Sequence, residues 1–92
     1  MEPLSNERLT IPIDEVVWRE VGDDLIILEL GTSTYLMVNS TGKLIWEALV
    51  GSATKDELVA MLVKEFGVST EQAESDVQSF LTTLTDRGLL RT

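Results

Sequence analysis

The sequence predicts an α+β domain of the winged helix-turn-helix kind: a three-stranded antiparallel sheet followed by three α-helices. Three observations lead there. Three short apolar runs lie between Val16 and Val38, separated only by the turn-forming triplets Gly22-Asp23-Asp24 and Gly31-Thr32-Ser33. Links that short join antiparallel neighbours. From Asn39 onward the apolar residues recur at helical spacing between clear caps. All the strands precede all the helices, which places the helices on one side of a small sheet.

The elements follow in order. Residues 1–12 carry Pro3 and Pro12 among polar residues and are expected to form a flexible N-terminal arm, leaving 13–92 as the single domain. Val16 to Glu20 is β-branched and aromatic, a first strand. Leu25 to Leu30 is nearly all apolar, as expected of a central strand covered on both faces. Thr34 to Val38 is the third strand. Asn39 or Ser40 caps a first helix to about Val50, with Leu44, Ile45, Ala48 and Leu49 on its apolar face and Gly51 just past its end. Thr54-Lys55-Asp56-Glu57 is a capping box opening a second helix with Leu58, Val59, Leu62 and Phe66 along one side. Gly67-Val68 has the form of a Schellman stop. Ser69-Thr70-Glu71-Gln72 is another capping box and opens the longest helix, with Ala73, Val77, Phe80, Leu81 and Leu84 at helical spacing to about Arg87. Gly88 stops it, and Leu89-Leu90 can fold back on the core. Asp56, Glu57, Glu71 and Glu74 sit in first turns, where carboxylates suit the helix dipole.

Composition excludes several kinds of chemistry. A chain of 92 residues supports one core. There is no Cys and no His, so disulfides, thiolate sites and the commonest general base and metal ligand are absent. Without His, no Ser or Thr has its usual activating base. Lys43, Lys55 and Lys64 fall beside helix faces that read as solvated. Asp23-Asp24 reads as a turn, and Glu71, Glu74 and Asp76 read as a solvated helix start. No Gly-rich phosphate loop follows a strand. An enzyme is not expected, and no cofactor or metal. The net charge of −9 repels phosphate backbones and anionic lipid, so neither nucleic acid nor membrane is an expected partner. The longest uncharged apolar run, Leu25 to Leu28, is far too short to span a bilayer, and MEPLSNERL has no signal pattern, so a cytoplasmic location is expected.

Two binding readings remain. As a DNA-binding winged helix, the chain would send its third helix into the major groove carrying Glu71, Glu74, Asp76 and Asp86 against the single Arg87. Those charges oppose the phosphate field. As a peptide binder, it would use the third strand, which has no Pro, no Lys and no charge, the usual protections of an edge. An extended peptide can add there by backbone hydrogen bonding. The alternative is that the third helix covers this edge, or that it is an ordinary short edge.

The run "YLMVNSTGKLIWEAL", then Gly51, "TKDEL", "FGV" and D-V-x-x-F-L-x-x-L-x-x-R-G-L-L resembles the PqqD-like family, the recognition elements that bind leader segments of ribosomally made precursor peptides. The resemblance covers about Val16 to Leu90. It rests on Asn39, Gly42, Trp46, Gly51, Asp76-Val77 and Gly88-Leu89-Leu90 in order. It implies a winged-helix-like fold and a leader added as an antiparallel strand along Thr34, Tyr35, Leu36, Met37 and Val38. It also implies a groove whose helical wall draws on Asp76, Val77, Phe80, Thr83, Leu84 and Arg87. Of these, Phe80 and Leu84 also suit the core. Asp76 and Arg87 are expected to be partly exposed, so that replacing them would spare stability, and Trp18 is expected to lie away from the groove. The implied partners are a precursor leader peptide and a leader peptidase or other modifying enzyme. Lasso-peptide biosynthesis is the nearest likeness, and a pyrroloquinoline quinone-type chaperone for a radical SAM enzyme is the second.

Overall fold

A computed structural model describes residues 7–92, so the first half of the expected arm lies outside the described residues. β1 spans Arg8–Leu9, and a single 3₁₀ turn, Ile13–Glu15, leads into β2, Val16–Val21. β3 (Asp24–Glu29) and β4 (Thr34–Val38) complete a sheet of order β2-β3-β4. α1 (Ser40–Val50), β5 (Ala53–Thr54), α2 (Lys55–Phe66) and α3 (Thr70–Asp86) follow. This is the expected order of three strands and three helices, with one small addition: β1 and β5 pair with each other.

Both hairpins are antiparallel and in register, with Ile27 opposite Trp18 on one side and Leu36 on the other. Side chains alternate between faces along a strand. One face therefore carries Val16, Leu25, Ile27, Glu29 and Val38, all buried under the helices. Of these, the four apolar residues join Ile45, Trp46, Leu49, Leu58, Leu62, Val77 and Leu84 in a single core. Trp46 meets Trp18 of β2 edge-on, ring centroids 5.5 Å apart at 76°. The opposite face of the sheet is not covered, contrary to the expectation for β3. Ile26 and Leu28 are only half-buried, and Val17, Val21, Tyr35 and Met37 beside them are exposed. The helices all follow the sheet and all pack on one side, so nothing in the described chain reaches the other.

Within the segment expected to be an arm, residues 8–11 are tied to the domain. Arg8 and Leu9 pair with Thr54 and Ala53, Thr10 bridges Arg91, and Leu9 and Ile11 are buried. Two alternating apolar side chains suffice to fasten this segment across the link between α1 and α2.

The caps explain where the helices stop. The Asn39 side chain accepts the Gly42 N–H at 3.0 Å and starts α1. Thr54 and Glu57 form the full reciprocal box at the start of α2. Ser69 caps α3 by accepting the Gln72 N–H, but the Gln72 side chain donates to Asp76 instead of closing a box. Gly67 ends α2 through one bond to the Val63 carbonyl, the simple left-handed cap and not the Schellman form. The Schellman motif occurs at Gly88, φ 71°, where Leu89 N–H reaches the Leu84 carbonyl at 2.8 Å and Gly88 N–H reaches Thr85. That turn drives Leu89 into the core. Gly51 keeps an ordinary φ of −92°, and the left-handed residue after α1 is Ser52, φ 77°. The Arg8 guanidinium holds Ser52 there by donating to its hydroxyl and its carbonyl, each at 2.9 Å.

Candidate functional site

β4 takes part in one ladder only, with β3, so its other edge is unpaired among the described residues. Its five residues carry no charge. Thr34, Tyr35 and Met37 are exposed, Leu36 is half-buried and Val38 is buried. A backbone edge of this kind offers unpaired N–H and C=O groups to an added strand.

Where β4 ends, a cavity of about 400 Å³ opens between the start of α1 and α3, lined by Asn39, Thr41, Gly42, Ile45, Asp76, Ser79, Phe80 and Thr83. The α3 members sit three and four residues apart and so share one helix face. Gly42 sets the depth. A Cβ there would stand 2.5 Å from Val38 Cγ1 and 3.0 Å from the Phe80 ring, so α1 meets β4 and α3 this closely only without one. Of the residues expected to wall the groove, Asp76, Phe80 and Thr83 meet in this cavity. Val77 and Leu84 are fully buried and lie behind it as core.

Arg87 lies elsewhere. Its guanidinium donates to the carboxylate of Glu29, the one buried charged residue of the described chain. The Arg87 side chain is 35% exposed and that of Glu29 8%. Arg87 therefore neutralises a carboxylate inside the fold and fastens the C-terminal end of α3 to the β3–β4 hairpin. The expectation that its removal would spare stability is revised accordingly.

Asn39, Thr41, Ile45 and Ser79 were not among the expected site residues. Ser79 was legible as the i+3 neighbour of Asp76, and Asn39 as the residue joining β4 to α1. The rest needed the helix packing. Trp18 lies on the helix-facing side of β2, outside the cavity. Glu57 is held below the ordinary carboxylate value, first by the Thr54 backbone N–H of the capping box and further by Arg8. No group of three metal-ligating side chains occurs among the described residues, and no described helix is long and apolar enough to cross a membrane.

Comparison with known proteins adds to this geometry. The family model described as coenzyme PQQ synthesis protein D (PqqD) matches residues 24–90. A solved structure described as TbiB1 in complex with the TbiA(beta) leader peptide is 30% identical, with a TM-score of 0.79 over 89% of this chain and 94% of that one. A second, described as lasso peptide synthetase B1 complexed with the leader peptide, is 20% identical, with a TM-score of 0.80 over 94% of this chain and 100% of that one, a likeness of fold. No curated protein matches the chain.

Proposed function

The chain belongs to the PqqD family, and from that premise we propose that it binds the leader segment of a ribosomally synthesised precursor peptide and presents it to a processing enzyme. The leader adds as a strand to the free edge of β4, from Thr34 to Val38. A leader side chain enters the cavity walled by Asp76, Phe80 and Thr83. The observation that carries this reading is the uncharged, unpaired edge of β4 running directly into that cavity. The leader-bound state of the 30% identical structure supports it.

The mechanism is tethering. A disordered leader held by strand addition raises the local concentration of its attached precursor at the enzyme. The protein forms and breaks no covalent bond. Backbone pairing makes affinity depend on register. A branched or aromatic leader side chain fully buried in the cavity adds about 1.5–3 kcal/mol, and ordering the leader offsets about 2–5 kcal/mol of the gross interaction. The receiving enzyme on this reading is a leader peptidase of lasso-peptide type. The family description names coenzyme PQQ synthesis, and the second reading is accordingly a pyrroloquinoline quinone-type chaperone whose recipient is a radical SAM enzyme. DNA binding is disfavoured because α3 presents Glu71, Glu74, Asp76 and Asp86, while the charge of Arg87 is spent on Glu29.

The test is a fluorescence-polarisation titration with the labelled leader half of the precursor peptide encoded beside this chain, the core half serving as control. Saturable binding of the leader half alone is expected, with amide shifts centred on Thr34 to Val38. Equal binding of both halves, or none up to high micromolar peptide, would remove the function.

A further inference from the structure

The sheet has a second free edge among the described residues, since β2 also pairs with β3 alone. β2 is the longer of the two edge strands and is rich in β-branched and aromatic residues, so by propensity it is as good a template for an added strand as β4. The two edges differ in what α1 sets over them. Glu20, Leu25 and Val38 stand opposite one another in a single row across the sheet, on its helix-facing side. The first turn of α1 crosses that row. At the β4 end Gly42 brings no Cβ against Val38, and the cavity opens there. At the β2 end its neighbour Lys43 reaches Glu20, Nζ to Oε2 3.6 Å, with the Lys43 side chain only 20% exposed. In the next row Trp18 meets the fully buried Trp46, the two rings edge-on. The helix-facing margin of β2 is thus filled by an ion pair and two indoles.

We propose, on the footing of the leader-binding reading, that Glu20 and Lys43 close the β2 edge to strand addition, so that a leader finds one open edge and not two. An inward-pointing charge blunts an edge strand. A strand laid along β2 would cover the Glu20–Lys43 pair, and an apolar neighbour does not return the cost of taking those charges out of water. β4 carries no charge and has no such guard. Pairing of β2 with β2 of a second copy shows how far the guard reaches. Antiparallel strands set residues of the same face opposite one another, so the two copies can centre on Trp18, Arg19 or Glu20. Like charges meet in the last two arrangements. In the first, Glu20 faces the Val16 position of the second copy and its ion pair is covered. The −9 charge of each copy adds a long-range repulsion.

The experiment compares the full chain with the double variant Glu20→Thr, Lys43→Met, which keeps strand propensity and the lysine stem and removes both charges. Sedimentation velocity reads self-association, and amide hydrogen exchange reads which strand is covered. At about 200 μM the wild type is expected to be monomeric and the double variant mostly dimeric, with the outward-facing amides of Val16 to Val21 slowed about 10-fold in exchange. The swapped variant Glu20→Lys, Lys43→Glu restores the pair with its signs reversed and should stay monomeric. The single variant Glu20→Thr is read in the same way where the double variant melts early. Saturating leader half of the co-encoded precursor should slow exchange at Thr34 to Val38 of the wild type and leave Val16 to Val21 unchanged. A folded double variant that stays monomeric, with β2 exchanging as before, overturns the role of the pair, as does a wild type that dimerises through β2. Leader that protects β2 of the wild type as well as β4 overturns the single open edge and leaves the leader reading standing. No binding of the leader removes that reading, and self-association of the double variant still decides whether β2 is guarded.

Discussion

Replacing Arg87 by Ala separates a residue that touches the leader from one that holds the groove in shape. The change leaves the Glu29 carboxylate, 8% exposed, without its cation. Breaking a buried pair by removing one partner costs about 3–5 kcal/mol. Arg87 is itself a third exposed, and solvent that enters in its place screens part of the loss, so about 2 kcal/mol is the working figure here. For a domain of this size that lowers Tm by about 8–16 °C. The assay is thermal unfolding of the full chain followed by far-UV circular dichroism at neutral pH. Leader affinity is measured separately, well below the transition, where the variant remains folded. The double variant Glu29→Gln with Arg87→Met removes both charges together and should recover all but about 1 kcal/mol of the loss. A melting point for Arg87→Ala within about 2 °C of the wild type would refute the reasoning, because it would mean that Glu29 does not depend on its partner.

Gly42→Ala should destabilise the domain by about 0–2 kcal/mol in urea unfolding, since an overpacked contact with Val38 and Phe80 costs about 1–3 kcal/mol against a helix-propensity gain of about 1; a more stable variant would mean the contact relaxes freely. Glu57 has a folded pKa below its unfolded one, so its share of stability is present above the unfolded value and is lost as pH falls through the folded value. Glu57→Gln, which keeps a capping-box acceptor but does not titrate, should therefore flatten the fall of stability at acid pH below the ordinary carboxylate value of 4.5; an unchanged acid limb in chemical unfolding would count against it. Tyr35→Ser and Met37→Ser, both at residues 65% exposed, should shift stability by no more than about 0.5 kcal/mol in the same assay. No sequence-selective DNA shift is expected at physiological salt, and observing one would overturn the charge argument on α3.

The strands and helices were legible because every boundary carried its own chemistry. Asn39, Thr54 and Ser69 are side-chain caps, and Gly67 and Gly88 adopt the left-handed stop. What escaped the sequence was of other kinds. Leu9 and Ile11 alternate over too few residues to announce a strand, and Pro12 beside them reads as a loop. The apolar run of β3 suggested cover on both faces, yet Ile26 and Leu28 sit behind exposed Tyr35, Met37 and Val17, and composition alone cannot separate an exposed apolar face from a buried one. The Glu29–Arg87 pair joins residues 58 apart in sequence, with no periodicity to connect them. The helical wall of the groove was therefore read as one continuous stripe from Asp76 to Arg87. In the fold it divides into cavity lining at Asp76, Phe80 and Thr83, core at Val77 and Leu84, and an ion pair at Arg87.

On the proposed function, that division bears on how so short a strand would recognise a peptide. Most of what β4 offers an added strand is backbone, which discriminates little by sequence. Selectivity then depends on how rigidly the edge is placed against α3. Two contacts fix that placement at opposite ends. The Glu29–Arg87 pair ties the end of α3 to the hairpin where β4 begins, since Glu29 stands opposite Thr34. The missing Cβ of Gly42 lets Val38 and Phe80 close together where β4 ends. Neither contact needs to touch a leader to matter. A change at either end alters the spacing between edge and cavity, and with it which leader register brings a side chain over Asp76. On the proposed function, affinity and register should therefore respond to Glu29, Arg87 and Gly42 together, whereas a change at Asp76, which takes part in neither contact, should alter preference for a side chain and leave the register alone.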